Sequence, residues 1–82
     1  EIQMLHEIYA PGADSGRVKL SHEGEECAVV IRGRLEVSVG EEKRLLRAGD
    51  AYYFSSKIPH RFYNPDDSEE CELVSACTPA NF

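Results

Sequence analysis

No run in this chain approaches the roughly 20 consecutive apolar residues that a membrane-spanning helix requires, so no part of it reads as one and no membrane partner is expected. A basic cluster is also missing. Nine Lys and Arg stand against fifteen Asp and Glu, for a net charge of −6. Phosphate neutralisation needs a Lys/Arg patch, so direct nucleic-acid binding by these residues is not expected. Cysteine is scarce and unpaired: Cys27, Cys71 and Cys77 are odd in number and lack metal-type or disulfide spacing. That pattern predicts buried, inert thiols and a cytoplasmic setting. Repeats, low-complexity tracts, linkers and a secretory leader are not seen, which predicts one domain over residues 1–82. The sequence opens at Glu1 rather than Met, as expected of a trimmed start or a piece of a longer protein.

What the chain does have is a short, even rhythm of turns. Pro11-Gly12, Gly16, Gly24, Gly33, Gly40, Gly49-Asp50, Pro59 and Asn64 to Asp67 punctuate brief β-prone runs. Strands are expected at 2–9, 17–21, 26–32, 34–39, 43–47, 51–54, 60–63 and 70–78, an all-β pattern of sandwich or barrel type. In Leu35 to Val39 the odd positions are apolar and the even ones polar, the mark of a half-buried strand. Ala28 to Ile31 is apolar on both faces, which predicts a central strand covered on both sides, by the opposite sheet or by a partner. Gly33 is expected to make a tight hairpin between 26–32 and 34–39, and Gly40-Glu41 the next one. The strand over 2–9 is expected to lie at an edge and to pair or swap across the two-fold of a homodimer.

His22, Glu26 and His60 are the candidate chemistry. Two imidazoles and one carboxylate suit a divalent transition metal, whether Zn, Ni, Mn or Fe, and leave coordination positions open. Side chains two apart on a strand share a face, so Leu20, His22, Gly24 and Glu26 share a parity, and His60 and Phe62 share another. The plainer alternative has Glu26 paired with Arg61 or Lys57 at a rim. His6 fits no such pattern and reads as an exposed strand residue. Val30, Tyr52, Phe54 and Phe62 read as core, Asn64 as a side chain tying its turn to the backbone, and Gly33 and Gly49 as positions needing glycine's backbone freedom.

The spacings around these residues resemble the two sequence motifs of the cupin family. His22 falls four residues before Glu26, where the second histidine of the first motif belongs, and six residues separate Glu26 from Gly33. Gly49, His60 and Asn64 occupy the first, fourth and fifth places of the second motif. The pattern departs from the family at Leu20, which replaces the other histidine, at Asp14 in place of the opening glycine, and at Ser55 and Lys57 in place of a proline and a glycine. The resemblance implies a cupin-type antiparallel β-barrel (a jelly roll, or double-stranded β-helix) with His22, Glu26 and His60 as metal ligands and Gly33, Gly49 and Asn64 as motif residues.

Within that family the strings His22 to Glu26, Val29 to Gly33, Tyr53 to Ser56 and Ile58 to Phe62, with the tail Thr78 to Phe82, are similar to C-terminal sensor domains of bacterial transcriptional regulators. In such proteins DNA contact belongs to a separate helix-turn-helix domain. The implied function is recognition of a small-molecule effector rather than catalysis. The alternatives are a free-standing metal-dependent dioxygenase or isomerase, and a barrel with an empty site that serves only to dimerise.

Overall fold

The computed structural model describes residues 2–16 and 24–78. Among the described residues there are seven strands: β1 (Gln3–Tyr9), β2 (Glu25–Arg32), β3 (Arg34–Val39), β4 (Glu42–Arg47), β5 (Ala51–Ser55), β6 (His60–Tyr63) and β7 (Cys71–Thr78). Among the described residues there is no helix, so none long and apolar enough to cross a membrane. The strands form a four-stranded sheet in the order β1-β7-β2-β5 and a three-stranded sheet in the order β4-β3-β6. Every pairing is antiparallel. The expected strand over 17–21 lies outside the described residues.

Period-two alternation decides what lies between the sheets. The larger sheet turns Ala28, Val30, Phe54, Cys71 and Leu73 inward, and the smaller contributes Leu35, Val37 and Phe62. Tyr9, Val39, Leu46 and Tyr52 pack against this cluster. Rings make much of the contact: Tyr52 stacks on Phe62 at 5.5 Å, and Tyr9 meets Phe62 edge-on at 6.5 Å. The reading of Val30, Tyr52, Phe54 and Phe62 as core agrees with this packing.

Two expectations from the sequence are corrected here. Gly33 does not close a hairpin, because β2 and β3 belong to different sheets. The register of β2 slips between Val30 and Arg32, and Gly33 follows at φ +83°. A bulge and a left-handed residue together turn the corner that carries the chain from one sheet to the other. A Cβ at Gly33 would lie 2.2 Å from the Glu70 carbonyl oxygen, so the corner is tight as well as left-handed. Cys27 is the second correction. It is exposed, because odd positions of β2 face outward, whereas Cys71 is buried and Cys77 is partly so.

The β3–β4 hairpin forms as expected, with Val39 opposite Glu42 around Gly40-Glu41. Gly49 adopts φ +93° in the turn before β5. β2 is a central strand, flanked by β7 and β5. Its inner side meets the smaller sheet, but Val29 and Ile31 on the outer side are open to solvent.

Asn64 is fully buried and joins three parts of the chain. Its amide nitrogen donates to the carbonyls of Tyr9 at 3.0 Å, Ala10 at 3.2 Å and Glu69 at 2.9 Å. Its carbonyl oxygen accepts from the Asp66 N–H at 3.0 Å. The end of β1, the end of β6 and the approach to β7 are thereby held at one point.

Candidate functional site

His60 opens β6 opposite Val39 of the smaller sheet, while Glu26 lies on β2 opposite Phe54 and Cys77 of the larger. Their inward parity brings them together across the gap, with His60 Nε2 at 3.2 Å from Glu26 Oε2. The His60 side chain is only 3% exposed. Rings flank it on both sides, Phe54 at 4.8 Å and Phe62 at 5.6 Å between centroids. Two of the three predicted ligands therefore meet. The third, His22, lies outside the described residues, as does Leu20. Among the described residues no cluster of three or more His, Cys, Asp or Glu is placed to hold a metal.

One hydrogen bond orients the His60 ring. His60 Nδ1 lies 2.8 Å from the Ile58 carbonyl oxygen, which can only accept, so Nδ1 carries a hydrogen. In a neutral ring that leaves Nε2 with a lone pair aimed at a carboxylate oxygen, itself an acceptor. A contact of 3.2 Å between them is favourable when a proton, carried by the ring or by the carboxyl, or a cation lies between the two atoms. The same Nδ1–H···O=C bond is what orients a metal-binding imidazole. His60 and Glu26 alone supply two donors among the described residues, in a tautomer that would accept a cation.

Ser56 was not picked out from the sequence. Its buried hydroxyl donates to Glu26 Oε2 at 3.2 Å, and its N–H donates to the Gly24 carbonyl at 2.9 Å. The available signal was parity, since position 56 continues the inward series Tyr52, Phe54. Glu7 was missed as well. It is partly buried on β1 and accepts from the Ser75 hydroxyl at 2.7 Å. Burial pushes the Tyr9 hydroxyl up to about 12, with Glu7, Cys71 and Glu26 adding to the effect. Burial raises Tyr52 still further, again with Glu26 and Glu7 contributing. The interior is thus an aromatic chamber with two carboxylates and neutral phenols.

Two clefts adjoin it. One of about 400 Å³ is lined by His60, Arg61, Asp14 and Ser38 among others. A second, of about 770 Å³, opens between β4 and β5 over Val37, Leu46, Tyr52 and Phe54. Both volumes lie in the range of small-molecule sites. Arg61 does not reach Glu26: it forks onto Asp14, with Nε 2.9 Å from Oδ1 and Nη2 on Oδ2. That bond and the Gly16 N–H hold the Asp14 carboxyl down at about 2. His6, exposed as expected, hydrogen-bonds Glu72 at 2.7 Å.

Comparison with known proteins places the chain. Residues 5–77 match the cupin domain family. The chain is 33% identical over 81 residues to the HTH-type transcriptional regulator PuuR of Escherichia coli (strain K12), covering 99% of this chain and 43% of that protein. It therefore spans less than half the length of the curated relatives it matches. Among solved structures, the Cupin_2 domain of an XRE family transcriptional regulator from Enterobacter cloacae superposes with a TM-score of 0.86 at 27% identity, covering 98% of this chain and 83% of that one. A Cupin 2 conserved barrel domain protein from Salinispora arenicola CNS-205 superposes with a TM-score of 0.80 at 26% identity, covering 96% of this chain and 64% of that one. The architecture is a cupin-type antiparallel β-barrel, as the motif spacings implied.

Proposed function

The chain belongs to the cupin domain family, and from that premise we propose that residues 1–82 form a single effector-sensing domain of a cytoplasmic bacterial transcriptional regulator. DNA contact falls to a separate helix-turn-helix domain, and the domain works as a homodimer. The likeness over 99% of the chain to a helix-turn-helix regulator supports the setting. The acidic balance of −6 agrees with a domain that does not itself meet DNA.

The observation that carries the binding site is the acceptor pair, His60 Nε2 against Glu26 Oε2, with Nδ1 already committed to Ile58. His22, Glu26 and His60 would hold a divalent ion there, and the ion would offer open positions to an oxygen-donor ligand such as a small carboxylate. Ser56 orients the Glu26 carboxylate, and Phe54 and Phe62 wall the imidazole from water. Effector binding acts on the DNA-binding partner only to the extent that it favours one of two states of the protein.

The test is twofold. Metal content is measured on the purified chain and on His60→Ala, and thermal unfolding is followed against keto acids, sugar acids, amino acids and polyamines. A sensor shows bound metal that His60→Ala loses, and a stabiliser whose effect grows with concentration while it stays chemically unchanged. Turnover of that compound, abolished in His60→Ala, would assign the barrel to catalysis instead. Equal metal in both proteins would remove the ion from the reading.

A further inference from the structure

We infer that Glu7 is a second ligand contact inside the barrel, one that receives a hydrogen-bond donor at the far end of the effector. The near end is the oxygen donor held at His60 and Glu26, so this rests on the reading of that pair given above. What it adds is a specificity. A chain ending in a hydroxyl or an ammonium group is accepted, and the same chain ending in a methyl is not.

Register turns Glu7 inward, opposite Leu73 of the core, just as Tyr9 lies opposite Cys71. A carboxylate drawn between two sheets loses water, and hydrogen bonds must offset that loss. Among the described residues Glu7 receives one, from the Ser75 hydroxyl at 2.7 Å, whereas a carboxylate has room for about four. The space beside it is not sealed by apolar groups. Glu7, Tyr9, Tyr52 and Ser75 all face inward yet remain only half-buried. Tyr9 and Tyr52 set their rings against Phe62 at 6.5 and 5.5 Å. Neither hydroxyl bonds to a described residue. No side-chain oxygen shut away from solvent lacks a partner among these residues, so both hydroxyls face open volume. Both phenols are raised by Glu7 and Glu26 as well as by burial, which sets that volume between the two carboxylates.

Strand spacing sets the length of the ligand. Glu7 leans on Ser75, which lies opposite Ala28 of β2, while Glu26 lies opposite Cys77, two residues further along β7. A rise of about 3.3 Å per residue and a strand spacing of about 4.8 Å put the two ends roughly 8 Å apart. A straight five-carbon acid with its substituent on the last carbon covers that distance. Chemistry then selects the substituent. A terminal hydroxyl or ammonium donates to Glu7 and meets the phenol oxygens, and an ammonium gains further from the ring faces. A terminal methyl leaves Glu7 short of partners, and a second carboxylate places like charges together. A site built around a buried acceptor rejects the analogue that lacks the donor.

Calorimetric titration with four five-carbon probes tests this: ω-aminopentanoate, ω-hydroxypentanoate, pentanoate and glutarate. They are compared on the wild type, Glu7→Leu and His60→Ala, with metal content measured on each. Circular dichroism checks folding, and Glu7→Gln takes the place of Glu7→Leu if that variant does not fold. The wild type should bind the amino or the hydroxy acid at least about tenfold more tightly than pentanoate, with glutarate the weakest. Which of the two leads tells an ammonium from a hydroxyl ligand. Glu7→Leu, or Glu7→Gln for the ammonium, should shrink the preference to less than about threefold while leaving metal content and pentanoate binding unchanged. Pentanoate bound as tightly as both donor compounds overturns the inference and leaves the His60–Glu26 reading standing. A preference that survives replacement of Glu7, or binding of none of the four, also overturns it. Affinities equal in wild type and His60→Ala would instead remove the anchor at that pair, and the inference with it.

Discussion

Replacing Asn64 should cost this domain a large share of its stability, and the chemistry of the replacement should matter as much as its size. Asn64 has no exposed surface and serves four backbone groups: the carbonyls of Tyr9, Ala10 and Glu69, and the N–H of Asp66. The Ala10 carbonyl also accepts from the Ala13 N–H at 2.9 Å, so it keeps a partner on truncation. Asn64→Ala withdraws a bond from the other three. At about 1 kcal/mol for each hydrogen bond lost, the one to Ala10 included, the loss is about 3–4 kcal/mol. Against a total stability of about 5–15 kcal/mol that is severe. At about 4–8 °C per kcal/mol, the midpoint should fall by roughly 12–30 °C. Asn64→Asp is the sharper test. It keeps the shape and the acceptor for Asp66, but turns the donor toward three carbonyl oxygens into a further acceptor. It should therefore be at least as damaging as Asn64→Ala at neutral pH. Urea unfolding followed by far-UV circular dichroism, with slopes compared, gives both values. An Asn64→Asp protein within 1 kcal/mol of the wild type would refute the reasoning.

Gly33→Ala should destabilise by about 2–4 kcal/mol, since a Cβ would meet the Glu70 carbonyl at 2.2 Å and the residue sits at φ +83°; a midpoint in urea equal to wild type would rule this out. Alanine at His22, Glu26 or His60 should sharply lower metal content by elemental analysis while alanine at His6 leaves it unchanged, and equal content in all four would leave only a structural role for the pair. Asp14, held at about 2 against an ordinary value of 3.8, lends stability that is complete above about pH 4 and lost as pH falls toward 2. Asp66 is lowered in the same direction by the N–H groups of Ser68 and Glu69 and by Arg34. The double variant Asp14→Asn, Asp66→Asn should therefore show a flatter fall of stability between pH 4 and 2 than wild type, and an identical slope would contradict the assignment.

Much of the fold was legible because period-two alternation and turn residues are local. Strand bounds read from the sequence at 34–39 and 60–63 coincide with β3 and β6, and the others among the described residues differ by a residue at one end. The corner at Gly33 was not legible. A glycine between two strands is the same local signal whether the strands pair or part, and only the partners of β2 and β3 in separate sheets decide it. Cys27 shows the opposite failure. Its outward parity was readable, but the general tendency of thiols toward burial was set above it.

The site divides along the same line. Motif spacing brought out Glu26 and His60, and the barrel sets them 3.2 Å apart. The groups that decide how they act come from other kinds of information. The Ile58 carbonyl that fixes the His60 tautomer is a backbone atom, and backbone atoms leave no trace in residue identity. Ser56 is a common residue in a turn, significant only because the inward parity of β5 runs on past the end of the strand. The apolar run Ala28 to Ile31 makes the same point at the scale of the whole domain. Its two-sided hydrophobicity demands two covers, and one is the smaller sheet packed on Ala28 and Val30. Val29 and Ile31 face away from that core and remain exposed. A sequence reports two-sided hydrophobicity without saying which element covers the second side, and here that side stays open on β2.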